Sequence, residues 1–142
     1  MQRRASAQWR GGLKDGKGTV STASGAVKNV AYSFAMRFGD DPGTNPEELV
    51  AAAHAACFSM AFSNELAKAG HTPQKVSTRA SVHLGPDPAG GVHIGKIELV
   101  CEAQVPGIDN AKFQEIAEGA RQNCPISKLL KAAEITLSAK LL

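Results

Sequence analysis

Hydrophobic and polar positions alternate in short stretches at the start of the chain, give way to a long helical period, and then alternate again. The first stretches, Ala5 to Trp9, Gly18 to Thr22 and Val30 to Phe34, are separated by glycine turns and predict short strands. Gly39 to Gly43 reads as a loop. Asn45 is placed as an N-cap, Pro46 suits the first helical position, and Glu48 falls at the capping-box spacing. The helix so begun should run to about Ala69 and stop at Gly70. Beyond it Val76, Thr78, Ala80, Val82 and Leu84 keep one parity and predict a strand. In the next strand Val92 and Ile94 share one parity, while Ile97, Leu99, Cys101, Ala103 and Val105 share the other, so a β-bulge is expected at Gly95. A helix over about Asp109 to Gln122, a short one from Pro125 and a last strand from Ile135 to Leu141 complete the chain. The order β-β-β-α-β-β-α-α-β predicts an α+β fold in which helices cover a largely antiparallel sheet.

The helix after Asn45 is apolar around nearly its whole circumference from Leu49 to Phe62, so it needs neighbours on every side. A single sheet in one chain would struggle to supply them, and a symmetric homodimer would. The length of 142 residues suits a single domain over 1–142. Apolar content of 43% beside 20% charge excludes a disordered chain, and the scarcity of aromatics, 5%, favours close helix packing over a large aromatic core. A net charge of +3, with no interleaving of basic and aromatic residues, argues against a nucleic-acid partner. Arg3, Arg4 and the lysines Lys14 and Lys17 read as solvated surface. The first residues lack the apolar core of a signal peptide, and the run from Leu49 to Phe62 is too short to span a bilayer, so a cytoplasmic protein without a membrane partner is expected. In that compartment an odd set of three cysteines is reactive, metal-binding or simply buried.

Cys57 lies mid-way along the apolar helix, where a lone cysteine ordinarily packs and its thiol stays protonated. A nearby cation changes that, because the thiolate is the nucleophile, and Arg37 just upstream of the helix is a candidate whose guanidinium stays charged and bonds two atoms at once. Spacing alone serves equally well for a surface arginine. Cys124, followed by Pro125, sits at or just before a helix N-cap, where free N–H groups and the dipole favour a thiolate; a poor cap that tolerates cysteine is the competing reading. Cys101 shares strand parity with Leu99 and Ala103 and reads as core. Glu47 precedes Cys57 by ten residues, about 15 Å of helix rise, so it cannot reach Cys57 of its own chain. Two such helices crossing antiparallel near Ala52 would bring Glu47 of one beside Cys57 of the other, and Ala51, Ala52, Ala55 and Ala56 would permit the close approach. Two thiols, a guanidinium and a carboxylate together point to thiol-based redox chemistry. His54 and Cys57, three residues apart, also fit a two-ligand metal face, with no second such pair to complete it.

The segments Thr44 to Ala61, Arg37-Phe38, Val105 to Asp109 and Asn123-Cys124-Pro125, with Gly16 to Thr22 near the start, strongly resemble the OsmC/Ohr family of peroxidases (osmotically inducible protein C and organic hydroperoxide resistance protein). His54 and Glu48 make the chain more similar to the OsmC branch. The resemblance implies an intertwined homodimer with two active sites at the interface, built around a pair of central helices. It further implies reduction of organic hydroperoxides and hydrogen peroxide in stress defence, with Cys57 as peroxidatic cysteine, Cys124 as resolving cysteine, Arg37 stabilising the thiolate and Glu47 as its carboxylate partner. A disulfide between Cys57 and Cys124 would then be reduced by a dithiol, for which the resemblance suggests a lipoyl-type carrier. No cofactor or metal is needed, because sulfur carries both electrons. Phe38, Phe58, Met60 and Ile126 are candidates for an apolar mouth favouring alkyl hydroperoxides, and serve equally well as dimer core. The competing classes are an apolar dimer that binds a hydrophobic ligand and a metal sensor using His54 and Cys57.

Overall fold

The computed structural model describes residues 1–142, which divide into two compact units, Met1–Leu49 and Val50–Leu142. In the first, β1 (Ala5–Arg10), β2 (Lys17–Thr22) and β3 (Val30–Ser33) form an antiparallel sheet in that order. Trp9 and Tyr32, on the two outer strands, bring their rings to 5.3 Å. The expected third strand ends one residue early, because the Ser33 hydroxyl accepts from the Met36 N–H at 3.2 Å and starts a short helix, α1 (Phe34–Phe38). Arg37 therefore sits on a helical turn and not on the loop that follows.

The long helix α2 (Pro46–Lys68) begins where the sequence indicates, with the Asn45 side chain accepting from the Glu48 N–H at 2.8 Å. Only half of the capping box closes, since the Glu48 carboxylate bonds the Thr44 hydroxyl. At the far end Gly70 takes φ +87° and lets the His71 N–H bond the Leu66 carbonyl, which terminates the helix.

In the second unit β4 (Lys75–Pro86), β5 (Val92–Gln104) and β6 (Glu134–Leu141) form a further sheet in the order β4-β5-β6. His83 pairs with Lys96 and Leu84 with Ile94, so Gly95 is the extra residue of a bulge and the side-chain parity flips there, as the sequence predicts. The arrangement corrects two expectations: there are two three-stranded sheets and not one, and β6 runs parallel to β5. The parallel pairing follows from the connection, since α3 (Asn110–Asn123) and α4 (Pro125–Leu129) lie between β5 and β6 and supply the crossover that a parallel neighbour requires. Asp109 caps α3 by accepting from the Lys112 N–H at 2.9 Å.

The core belongs to the second unit. Phe58, Phe62 and Leu66 from α2, Phe113, Ala117 and Ala120 from α3, and Leu99, Cys101 and Ala103 from β5 pack into one buried cluster. Phe62 meets Phe113 edge-on at 5.2 Å. Every buried hydrophobic side chain of the protein falls between Phe58 and Cys124, so the first unit encloses no hydrophobic side chain of its own. No helix is long and apolar enough to cross a membrane.

Candidate active site

The second unit brings two cysteines together. Cys57 faces the sheet side of α2 beside the core, and Cys124 occupies the single residue between α3 and α4. The Cys124 thiol donates to Cys57 Sγ at 3.1 Å, across 67 residues of sequence, and both are free thiols. Cys124 is wholly buried, while Cys57 is partly accessible. Cys124 also serves as C-cap of α3 through its N–H, which bonds the Ala120 carbonyl, and as the residue before Pro125 at the start of α4. Its sulfur makes no cap bond to α4 and lies in the buried core cluster beside Cys57.

Burial pushes the Cys57 thiol above its ordinary pKa, the contact with Cys124 pushes the same way, and the Ile126 N–H pulls it down. The surroundings of Cys57 within its own unit therefore disfavour the thiolate. A positive charge brought to the sulfur would favour the thiolate.

The first unit holds an oriented positive charge of its own. Glu47, in the first turn of α2, receives Arg37 Nε at 3.2 Å on each carboxylate oxygen and Arg37 Nη2 at 2.7 Å. This two-pronged contact fixes the plane of the guanidinium as well as its position. Glu47 raises the already high pKa of Arg37, chiefly by these hydrogen bonds, so the group is cationic at any physiological pH. The guanidinium carbon also lies 5.0 Å from the centre of the Phe38 ring. Of the four expected site residues, then, Cys57 meets Cys124 in one unit and Arg37 meets Glu47 in the other.

Cys101 lies in the core on β5, as its strand parity indicates, and burial raises its pKa. Phe58 is corrected from the expected apolar mouth: it is completely buried in the core cluster. Its place in an i, i+4 series with His54, Phe62 and Leu66 makes it part of the inward stripe of α2. Met60, by contrast, is 76% exposed. His54 does not join Cys57 in a metal face; its Nε2 lies 2.8 Å from the Ser127 hydroxyl, and no three His, Cys, Asp or Glu side chains gather as ligands. Ser127 is a residue that sequence reasoning passed over. The available signal was spacing, since it follows Cys124 by three residues as His54 precedes Cys57 by three.

Residues 39–140 match the family model described as OsmC-like protein. The chain belongs to the OsmC family. Among OsmC-family relatives, it is 50% identical to peroxiredoxin OsmC of Escherichia coli (strain K12) over 99% of this chain and 97% of that protein. It is 36% identical to the organic hydroperoxide resistance protein of Xanthomonas axonopodis pv. citri, over 68% of this chain and 66% of that one. The OsmC fold is likewise similar to the crystal structure of an organic hydroperoxide resistance protein from Elizabethkingia anophelis, with a TM-score of 0.77, 26% identity and coverage of 100% and 99% of the two chains.

Proposed function

We propose that this OsmC-family chain is a peroxidase that reduces organic hydroperoxides, and hydrogen peroxide, with Cys57 as the attacking thiol and Cys124 as the resolving one. The observation that carries the reading is the 3.1 Å approach of two free thiols distant in sequence. The names borne by relatives, peroxiredoxin and organic hydroperoxide resistance protein, agree with it. Cys57 thiolate attacks the distal oxygen of the hydroperoxide, the O–O bond breaks, and the departing alkoxide takes a proton to become the alcohol. The sulfur, now oxidised by two electrons, is a sulfenic acid. Cys124 attacks it, the S–S bond forms, and the sulfenic oxygen leaves as water with the Cys124 proton. A dithiol of lipoyl type then returns two electrons by exchange, itself becoming a disulfide.

Arg37, held by Glu47, supplies the positive charge that Cys57 needs and polarises the peroxide. We place that pair on the partner subunit of a symmetric homodimer, so that each active site draws on both chains and residues 1–142 serve as one catalytic domain. Two features support the dimer. The first unit buries no hydrophobic side chain alone, and α2 carries Ala52, Ala56 and Met60 as an exposed stripe at i, i+4 spacing, suited to close helix crossing. Stress defence in the cytoplasm is the setting that fits a chain of this kind.

The test is peroxide consumption by the purified chain with dihydrolipoamide, compared with Cys57→Ser. Wild type should turn over cumene hydroperoxide and the variant should be inert. Equal consumption by both would overturn the assignment of Cys57.

A further inference from the structure

Two side-chain hydrogen bonds join α2 to the corner between α3 and α4. One is the thiol contact of Cys57 and Cys124, and the other is the pairing of His54 Nε2 with the Ser127 hydroxyl at 2.8 Å. They are related by spacing: one helical turn toward the start of α2 from Cys57 is His54, and one turn beyond Cys124 is Ser127. Both residues are buried, His54 completely and Ser127 at 5% exposure. The other ring nitrogen of His54, Nδ1, is buried without a partner, so Ser127 is the ring's sole polar tether. α4 itself is only five residues long, its N-cap makes no side-chain bond, and Leu129 within it is 75% exposed. Little in α4 alone holds Cys124 in place.

We infer that His54 and Ser127 are positioning residues for the second chemical step, docking the first turn of α4 on α2 so that Cys124 stays within reach of Cys57 after Cys57 has been oxidised. The inference rests on the two-cysteine reading above. The thiol contact cannot do this itself, because the step it would guide destroys it. Once Cys57 carries an oxygen, the donor–acceptor pair of the resting enzyme is gone, and the bulkier sulfur crowds Cys124. The His54–Ser127 bond includes neither sulfur and survives oxidation. To form the disulfide the sulfurs must close from 3.1 Å to about 2.05 Å. A movement of that size is available to a residue one turn from a fixed point and is lost if the turn drifts. Burial lowers the pKa of His54, which keeps the ring neutral and suited to a hydroxyl partner near neutral pH.

The test separates the two chemical steps in the full chain. Reduced wild type, Ser127→Ala, Ser127→Thr and the double variant His54→Phe, Ser127→Ala are each mixed with one equivalent of cumene hydroperoxide and quenched over time. Mass spectrometry then reads Cys57 sulfenic acid, trapped with dimedone, and the Cys57–Cys124 disulfide. Ser127→Ala should form sulfenic acid within about twofold of wild type and close the disulfide on the order of 10- to 100-fold more slowly, the loss expected from about 1 Å of misplacement. Ser127→Thr, which keeps the hydroxyl, should recover most of the rate. The double variant removes both polar partners and so should regain melting temperature; its disulfide step should remain slow, which a merely structural bond would not cause. It also carries the test if Ser127→Ala does not fold. Disulfide closure at the wild-type rate in Ser127→Ala, or recovered in the double variant along with stability, overturns the inference. Failure of wild type to form the disulfide at all would instead overturn the two-cysteine reading.

Discussion

Mixing two inactive chains tests which protomer supplies the guanidinium. One chain carries Arg37→Ala and Glu47→Ala, and the other carries Cys57→Ser. Arg37 and Glu47 are joined within one chain by contacts of 3.2, 3.2 and 2.7 Å, so on the proposed mechanism they would act as a single group on the same sulfur. Glu47 and Cys57 stand ten residues apart in α2, and a helix rises about 1.5 Å per residue, so about 15 Å of rise separates them and the carboxylate does not reach its own Cys57. If the group acts across the interface, a mixed dimer has one complete site, which pairs the intact Cys57 of the first chain with the intact Arg37 and Glu47 of the second. Random reassortment makes about half of the dimers mixed, each with one working site of two, so the mixture should show about one quarter of the wild-type rate. The assay is peroxide consumption with dihydrolipoamide, after native mass spectrometry has shown that differently tagged chains exchange. Activity no greater than that of the separate parents, in a mixture containing mixed dimers, would refute the trans arrangement and with it the helix-rise argument.

Cys124→Ser should consume one equivalent of peroxide per chain, then stall and pass to the sulfinic acid under excess peroxide; sustained turnover with a dithiol would refute the resolving role. Arg37→Lys keeps the charge but not the planar two-pronged contact with Glu47. Because burial and the Cys124 contact raise the Cys57 pKa, weakening the opposing charge should move the pH midpoint of Cys57 oxidation upward, and stopped-flow profiles that overlay wild type would refute this. His54 has its pKa lowered by burial, so below about pH 6.5 the unfolded chain binds a proton that the folded chain refuses, and stability should fall on acidification by up to about 1.4 kcal/mol per pH unit. Denaturant titrations at pH 7 and pH 5.5 should show that loss in wild type and a smaller one in the His54→Phe, Ser127→Ala double variant.

Local signals proved readable where one residue decides one feature. Asn45 and Pro46 start α2, Gly70 ends it, and the parity change across Gly95 marks the bulge. Strand direction was not readable, because alternation is the same in parallel and antiparallel ladders; the parallel setting of β6 comes from the α3–α4 crossover. Helix α1 is not legible in the sequence because its five residues are too few to show a period, and only the Ser33 cap distinguishes them from the end of a strand. The four candidate site residues stand out in the sequence by type and resemblance. Ser127 does not, since a serine in a short helix is unremarkable until the fold sets it against His54. The burial of Phe58 is not legible for a related reason: a helix apolar on all sides does not say which face is inward.

On the proposed mechanism, the separation of Cys57 and Cys124 by 67 residues would make each catalytic cycle also a cycle of chain topology. While such a disulfide existed, the unfolded chain would contain a closed loop of that length; once a dithiol opened it, the constraint would vanish. Loop-closure entropy of this size is worth roughly 4 kcal/mol against the unfolded state. The disulfide form awaiting its reductant would thus be the more stable one against unfolding, with a smaller unfolded population for a protease to catch, and a cell short of reducing power would accumulate it. Peroxide load and reductant supply would thereby set the lifetime of the protein as well as its activity.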